Sequence, residues 1–124
     1  MEAIKIADEI IRLNGQLKRG VKELQPRNDA KAVKAAEHDK DLAIWIIKLK
    51  TGKYEPIMAE FGLTVDDMPL PATIIERVAK GLCWKSKLEA DKADGEYKNA
   101  VVGIEAIKAQ LNGNQSIYRH LEEV

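Results

Sequence analysis

Aromatic residues are scarce in this chain: one Phe, two Trp and three Tyr make up 5% of its 124 residues. Single-strand nucleic-acid surfaces stack bases on several aromatic rings, so a platform of that kind is excluded. There is one cysteine, Cys83, so no disulfide can form within the chain, which fits a reducing compartment. One cysteine and two histidines are too few for a structural zinc site. No apolar stretch approaches the roughly 18 residues of a membrane span, and Met1-Glu-Ala-Ile-Lys lacks the apolar core of a signal peptide. The expected location is the cytoplasm. What the chain does have is helix-forming composition: Ala, Glu, Lys, Leu and Arg supply 58 of the 124 residues. That length suits a single helical domain over residues 1–124.

The first segment predicts a helix from about Ala3 to Leu24. Ala3, Ile6, Ile10, Leu13, Leu17, Gly20 and Leu24 recur at alternating steps of three and four, the spacing of a coiled-coil seam. Gly20 on that seam weakens the helix by about 1 kcal/mol relative to Ala but admits a close neighbour. Pro26 predicts the helix end, with Gln25-Pro-Arg-Asn as a tight turn into an antiparallel second helix capped by Asn28 or Asp29. In that second helix Ala32, Ala35, Leu42, Ile46 and Leu49 keep heptad spacing. The run Leu42-Ala-Ile-Trp-Ile-Ile47 is apolar all round, which predicts burial in a core or an oligomer interface. Leu42, Trp45, Ile46 and Leu49 are its candidate core or oligomer residues.

Tyr54 to Pro71 breaks the pattern, with three of the four prolines, the only Phe and four acids without a base. It reads as an ordered, proline-rich connector, with a short helix from Pro56 to Phe61. Because long irregular segments are often functional, Glu55, Glu60, Phe61, Asp66 and Asp67 are its candidate partner-binding residues. From Ala72 a helical pattern runs to about Leu111, on the order of 60 Å. It has apolar ends and a charged middle braced by Lys85–Glu89, Lys87–Asp91, Lys92–Glu96 and Asp94–Lys98. Gly95, Gly103 and Asn112-Gly-Asn are possible breaks in it. The expected fold is therefore all-α: an antiparallel helical bundle or coiled-coil-like hairpin with one long helix at about 72–111. A helix that long outreaches a compact domain of this size, and with the apolar run 42–47 this predicts self-association as a homodimer.

Catalytic and cofactor motifs fail on their own chemistry. Gly52-Lys53 lacks the upstream glycine and following hydroxyl of a phosphate-binding loop. A recognition helix at Thr64–Ala72 is blocked by Pro69 and Pro71. Glu37-His38-Asp39 and Asp41 share a helix, but no Glu-x-x-His occurs to complete a carboxylate metal site. Cys83 beside Leu82 and Trp84 reads as an inert buried thiol. No cofactor is expected, and the chain is not expected to be an enzyme. Charge is uneven, however: residues 1–53 carry 12 bases and 8 acids, and residues 54–124 carry 8 bases and 12 acids. Such polarity suits binding to a charged partner. Lys5, Arg12, Lys18, Arg19 and Lys22 on the first helix, with Lys48, Lys50 and Lys53, are the candidate phosphate contacts.

The stretch Val78-Ala-Lys-Gly, Trp84-Lys, Leu88-Glu-Ala-Asp, Glu96-Tyr-Lys, Leu111-Asn and Gln115-Ser-Ile-Tyr-Arg-His-Leu resembles small helical proteins encoded in the early regions of tailed bacteriophages and prophages. The likeness covers about the last 45 residues. It implies a bacterial cytoplasmic setting near replication, recombination or anti-defence functions. The expected function is non-enzymatic protein–protein interaction, such as inhibition of a host defence or replication factor. The alternative is a nucleic-acid-binding accessory of phage replication or recombination.

Overall fold

A computed structural model describes residues 2–51 and 70–123. These form three helices: α1 (Glu2–Lys50), α2 (Ala72–Leu82) and α3 (Trp84–Glu123). Among the described residues only Thr51, Leu70, Pro71 and Cys83 lie outside a helix, and there is no strand. The fold is all-α. The chain divides into two compact units, one of Met1–Lys31 with Ala93–Val124 and the other of Ala32–Lys92.

In the first unit α1 and α3 pair antiparallel. Gly20 meets Ile104, Arg27 donates to the Glu96 carbonyl at 3.4 Å, and Lys31 pairs with Asp94 at 3.3 Å, so one residue number rises as the other falls. The heptad seam explains the pairing. Leu13 is fully buried, with Ile6, Ile10, Leu17 and Leu24 half-buried along the same face, and α3 answers with Ala93, Ile104 and Leu111. At Gly20 an added Cβ would lie 3.2 Å from Ile104 Cγ1, tighter than comfortable contact. The glycine's use is the close approach expected of it, made to a side chain.

Pro26 does not end α1. The turn predicted at 25–28 and the second helix capped by Asn28 or Asp29 are replaced by one unbroken helix with Pro26 inside it. A proline in a helix interior forfeits its N–H bond to the carbonyl four residues back (here Lys22) and costs about 3 kcal/mol. Local pairs across the ring return a few tenths of a kcal/mol each, and packing of α1 against α3 meets the rest. Arg27 bonds Glu23 at 3.2 Å and Gln25 bonds Asp29 at 2.9 Å, pairs four apart that flank or span the ring and form only on a helix. The seam beyond, from Arg27 to Lys31, is held by α3, and the ring itself is exposed.

The second unit holds the larger core: Leu49, Leu70, Ile75, Val78 and Ala79, with Leu42, Trp45, Ile46, Ile74 and Leu82 packed against it. The apolar run 42–47 is buried on one face rather than all round, since Ile44 is 38% and Ile47 61% exposed. Thr51 closes α1, its N–H and Oγ1 each bonding the Ile47 carbonyl at 3.0 Å. Pro71 opens α2, its carbonyl accepting from Ile74 N and Ile75 N at 3.0 Å. The helix expected over 72–111 is divided at Cys83 and then runs on past Leu111 to Glu123, uninterrupted at Gly95, Gly103 or Asn112-Gly-Asn. At Cys83 (φ −92°, ψ 16°) the backbone leaves helical geometry for one residue. Bonds from Cys83 N to Ala79 O and from Lys87 N to Cys83 O keep the helical ladder on either side. Ser86 Oγ also reaches the Cys83 carbonyl at 3.1 Å.

Candidate functional site

An unbroken α1 carries the seam of its first half straight past Pro26, and this decides which side chains face inward. Continuing in steps of three and four from Leu24 brings Arg27, Lys31, Lys34, His38, Asp41 and Trp45 toward α2 or α3, all half-buried. Ala32 and Ala35, the predicted seam residues, are exposed instead. That prediction restarted the helical phase at a turn that does not exist.

The inward polar residues each find a partner. In the first unit Lys31 bonds Asp94 and lies 4.9 Å over the Tyr97 ring. Asp94 is held below the ordinary carboxylate range by Lys98, at 2.8 Å, and by Lys31. In the second unit Lys34 pairs with Glu37 and Glu89, both at 3.3 Å, and is pushed above the ordinary lysine range by them. Glu89 thus pairs across to α1 instead of with Lys85, whereas the predicted Lys87–Asp91 pair forms at 3.2 Å. Deeper in the second unit, Ser86 Oγ lies 2.9 Å from Asp41 Oδ2 and 3.1 Å from both the Cys83 carbonyl and His38 Nδ1.

That cluster combines a serine, a histidine, an aspartate and a cysteine, so its chemistry needs testing. Ser86 has a single hydroxyl hydrogen, shared among Asp41 Oδ2, the Cys83 carbonyl and His38 Nδ1, and the role of His38 Nδ1 is set by its tautomer. Cys83 is buried, and desolvation with the neighbouring Asp41 pushes its thiol up to about 11, so it is held as an unreactive thiol. The arrangement ties α1 to α3. Sequence reasoning considered His38 and Asp41 as metal ligands and overlooked Ser86. The polar positions 31, 34, 38 and 41 at seam spacing were the available signal. Among the described residues no three His, Cys, Asp or Glu side chains converge on a metal position.

The candidate binding residues are distributed differently. Glu55, Glu60, Phe61, Asp66 and Asp67 of the connector, and Lys53, lie outside the described residues. Leu42, Trp45, Ile46 and Leu49 sit in or against the core of the second unit. Lys48 lies 4.6 Å over the Trp45 ring, and Lys50 edges a small cleft with Ile46, Ala72, Ile75 and Glu76. Arg12 is paired with Glu9, which its hydrogen bonds hold below the ordinary carboxylate range. Lys18, Arg19 and Lys22 form the coherent group. They are exposed, have no ion-pair partner among the described residues, and border an open groove of about 490 Å³ with Leu17 and Val21. On the same outward side of α1 lie Ile4 and Ile11, 66% and 69% exposed.

The chain matches no protein-family model, no curated protein and no solved structure. Among the described residues no helix is long and apolar enough to cross a membrane.

Proposed function

We propose that the chain is a non-enzymatic, cytoplasmic binding protein that acts through protein contacts made by its exposed helix faces, and that it self-associates. One observation carries this reading: α1 presents Ile4, Ile11 and Val21, all more than half exposed, beside the cations of Lys18, Arg19 and Lys22. Apolar side chains grouped on one outward face and bordered by charge are the usual make-up of a protein contact. The resemblance of the last 45 residues to early-region phage proteins supports a host defence or replication factor as the partner. A photo-crosslinking residue at position 11, in the full chain expressed in a bacterial host, tests it. One crosslinked host protein, lost when Ile4 is also changed to Glu, is expected. Absence of any protein adduct refutes the reading.

The second reading is a nucleic-acid-binding accessory, favoured by the grouping of Lys18, Arg19 and Lys22 at one groove. Phosphate binding must weaken steeply with salt. A gel shift on duplex and single-stranded DNA that is abolished by Lys18→Glu with Lys22→Glu, and by roughly 200 mM salt, would favour it over the first.

A further inference from the structure

The outward side of α1 in the first unit carries a straight row of side chains. Ile4, Ile11, Lys18 and Lys22 fall within about 40° of one another around the helix axis, along roughly 27 Å of its length. Ile4 and Ile11 are 66% and 69% exposed, and beyond them the row meets the groove of about 490 Å³ at Leu17, Lys18, Arg19, Val21 and Lys22. Gly15 lies between Ile11 and Lys18, and Arg19 uses the room it leaves. One guanidinium nitrogen, Nη1, lies 3.6 Å from where a Cβ at Gly15 would stand. The row is apolar at its N-terminal end and cationic at its C-terminal end.

The charge at the groove is not answered from within the helix. The positions three and four residues from Lys18 are Asn14, Gly15, Val21 and Lys22, and those from Lys22 are Lys18, Arg19, Gln25 and Pro26. None is an acid, and Lys18 and Lys22 stand at the spacing where like charges on a helix repel. Glu23, four residues after Arg19, is bonded to Arg27 at 3.2 Å instead. Elsewhere on α1 the acid is supplied, by Glu9 to Arg12 and by Glu37 to Lys34. An anionic occupant relieves this repulsion and covers the exposed Val21 at the same time.

The other end of the row restricts that occupant. Asp8 is exposed beside it, four residues after Ile4 and three before Ile11. A phosphate backbone or an anionic lipid surface laid along the row brings negative charge against Asp8. A protein helix suits both ends. Its apolar side chains, seven residues apart, cover Ile4 and Ile11 as in a coiled-coil seam, and its carboxylates two to three turns further along reach the cations.

We infer that this row is a docking site for an acidic amphipathic helix of a protein partner, apolar against Ile4 and Ile11 and anionic against Lys18, Arg19 and Lys22. The inference rests on the reading that the outward face of α1 makes protein contacts, and it names the partner's chemistry. The apolar contacts hold the docked helix, and the carboxylates fix its direction and speed its capture.

Selection of a display library of single helices, randomised on one face, against the full chain tests this, with circular dichroism as the check that variants fold. The expected selected helices carry apolar residues seven apart and acids toward one end. A synthetic copy followed by fluorescence anisotropy should bind the Lys18→Glu, Lys22→Glu variant at least about tenfold more weakly at low salt, the difference shrinking as salt rises. Changing the acids of that peptide to lysines should restore binding to the variant, and Ile11→Asp should weaken the original peptide by itself. Selected helices without acids, a peptide indifferent to Lys18→Glu with Lys22→Glu, or a library that yields no binder overturns the inference. Binding confined to duplex DNA or to phosphatidylserine vesicles, run as parallel arms, overturns it as well. A host protein still crosslinked at position 11 when no acidic helix is selected overturns only the partner's chemistry. Acidic helices bound in solution with no host adduct overturn the functional reading and leave the docking site standing.

Discussion

Replacing Pro26 by alanine should make the protein more stable. The ring occupies an exposed position within α1, where its nitrogen cannot donate to the Lys22 carbonyl and its Cδ crowds that turn. Alanine restores the donor and relieves the crowding. In a helix interior the exchange favours alanine by about 3 kcal/mol, and α1 has already relaxed around the ring, so a net gain of about 1–3 kcal/mol is expected. The unfolding entropy scales as about 2.1 cal/mol/K per residue, giving roughly 260 cal/mol/K for a chain of this length, so Tm should rise by about 4–12 °C. Thermal melts followed by helical circular dichroism, checked against urea midpoints, measure it. Pro26→Gly should fall between the two, because glycine restores the donor at a backbone cost of about 1 kcal/mol. A companion substitution separates an unbroken helix from a turn. Asp29→Ala should cost only a few tenths of a kcal/mol where Asp29 is an interior residue, but about 1 kcal/mol if it caps a new helix. A fall in Tm for Pro26→Ala together with a large cost for Asp29→Ala would refute the continuous helix.

At Gly20, leucine should destabilise by roughly 1–3 kcal/mol, because the Cβ alone already presses on Ile104, and Ile104→Ala in the same chain should recover part of the loss in a denaturant melt. Leu49→Ala should cost about 2–5 kcal/mol, the largest effect of any single truncation in the second unit, read as a lowered urea midpoint at unchanged slope. Cys83 is raised in the folded chain, so its contribution is fully present below the unfolded thiol range and is lost as pH climbs through about 11. Wild type should therefore lose stability between about pH 9 and 11 relative to Cys83→Ala, and equal pH profiles would refute this. Asp94 and Glu9 are held low, so their ion pairs support the fold above the ordinary carboxylate range and fail as pH drops below about 4. Asp94→Asn should flatten the acid limb of the melt series.

Composition and heptad spacing determined the all-α class and the inward face of residues 3–24, because these depend on local periodicity and on which backbone groups a short segment can satisfy. Pro26 shows where local reasoning stops. Its preference for a chain break is worth about 3 kcal/mol, and the contacts that oppose it come from Ile104, Glu96 and Asp94, some seventy to eighty residues away in sequence. Once α1 continued, its phase was fixed, and Lys31, Lys34, His38 and Asp41 turned inward while Ala32 and Ala35 turned out. No sequence window contains the partners that make this tolerable. Asp94, Glu89 and Ser86 reach those positions only when α3 lies antiparallel against α1. Periodicity decides that a helix forms and which stripe is apolar, but the length of the helix and the pairing of its polar residues belong to the tertiary structure. Packing against a distant partner can outweigh the few kcal/mol by which any single residue prefers a turn.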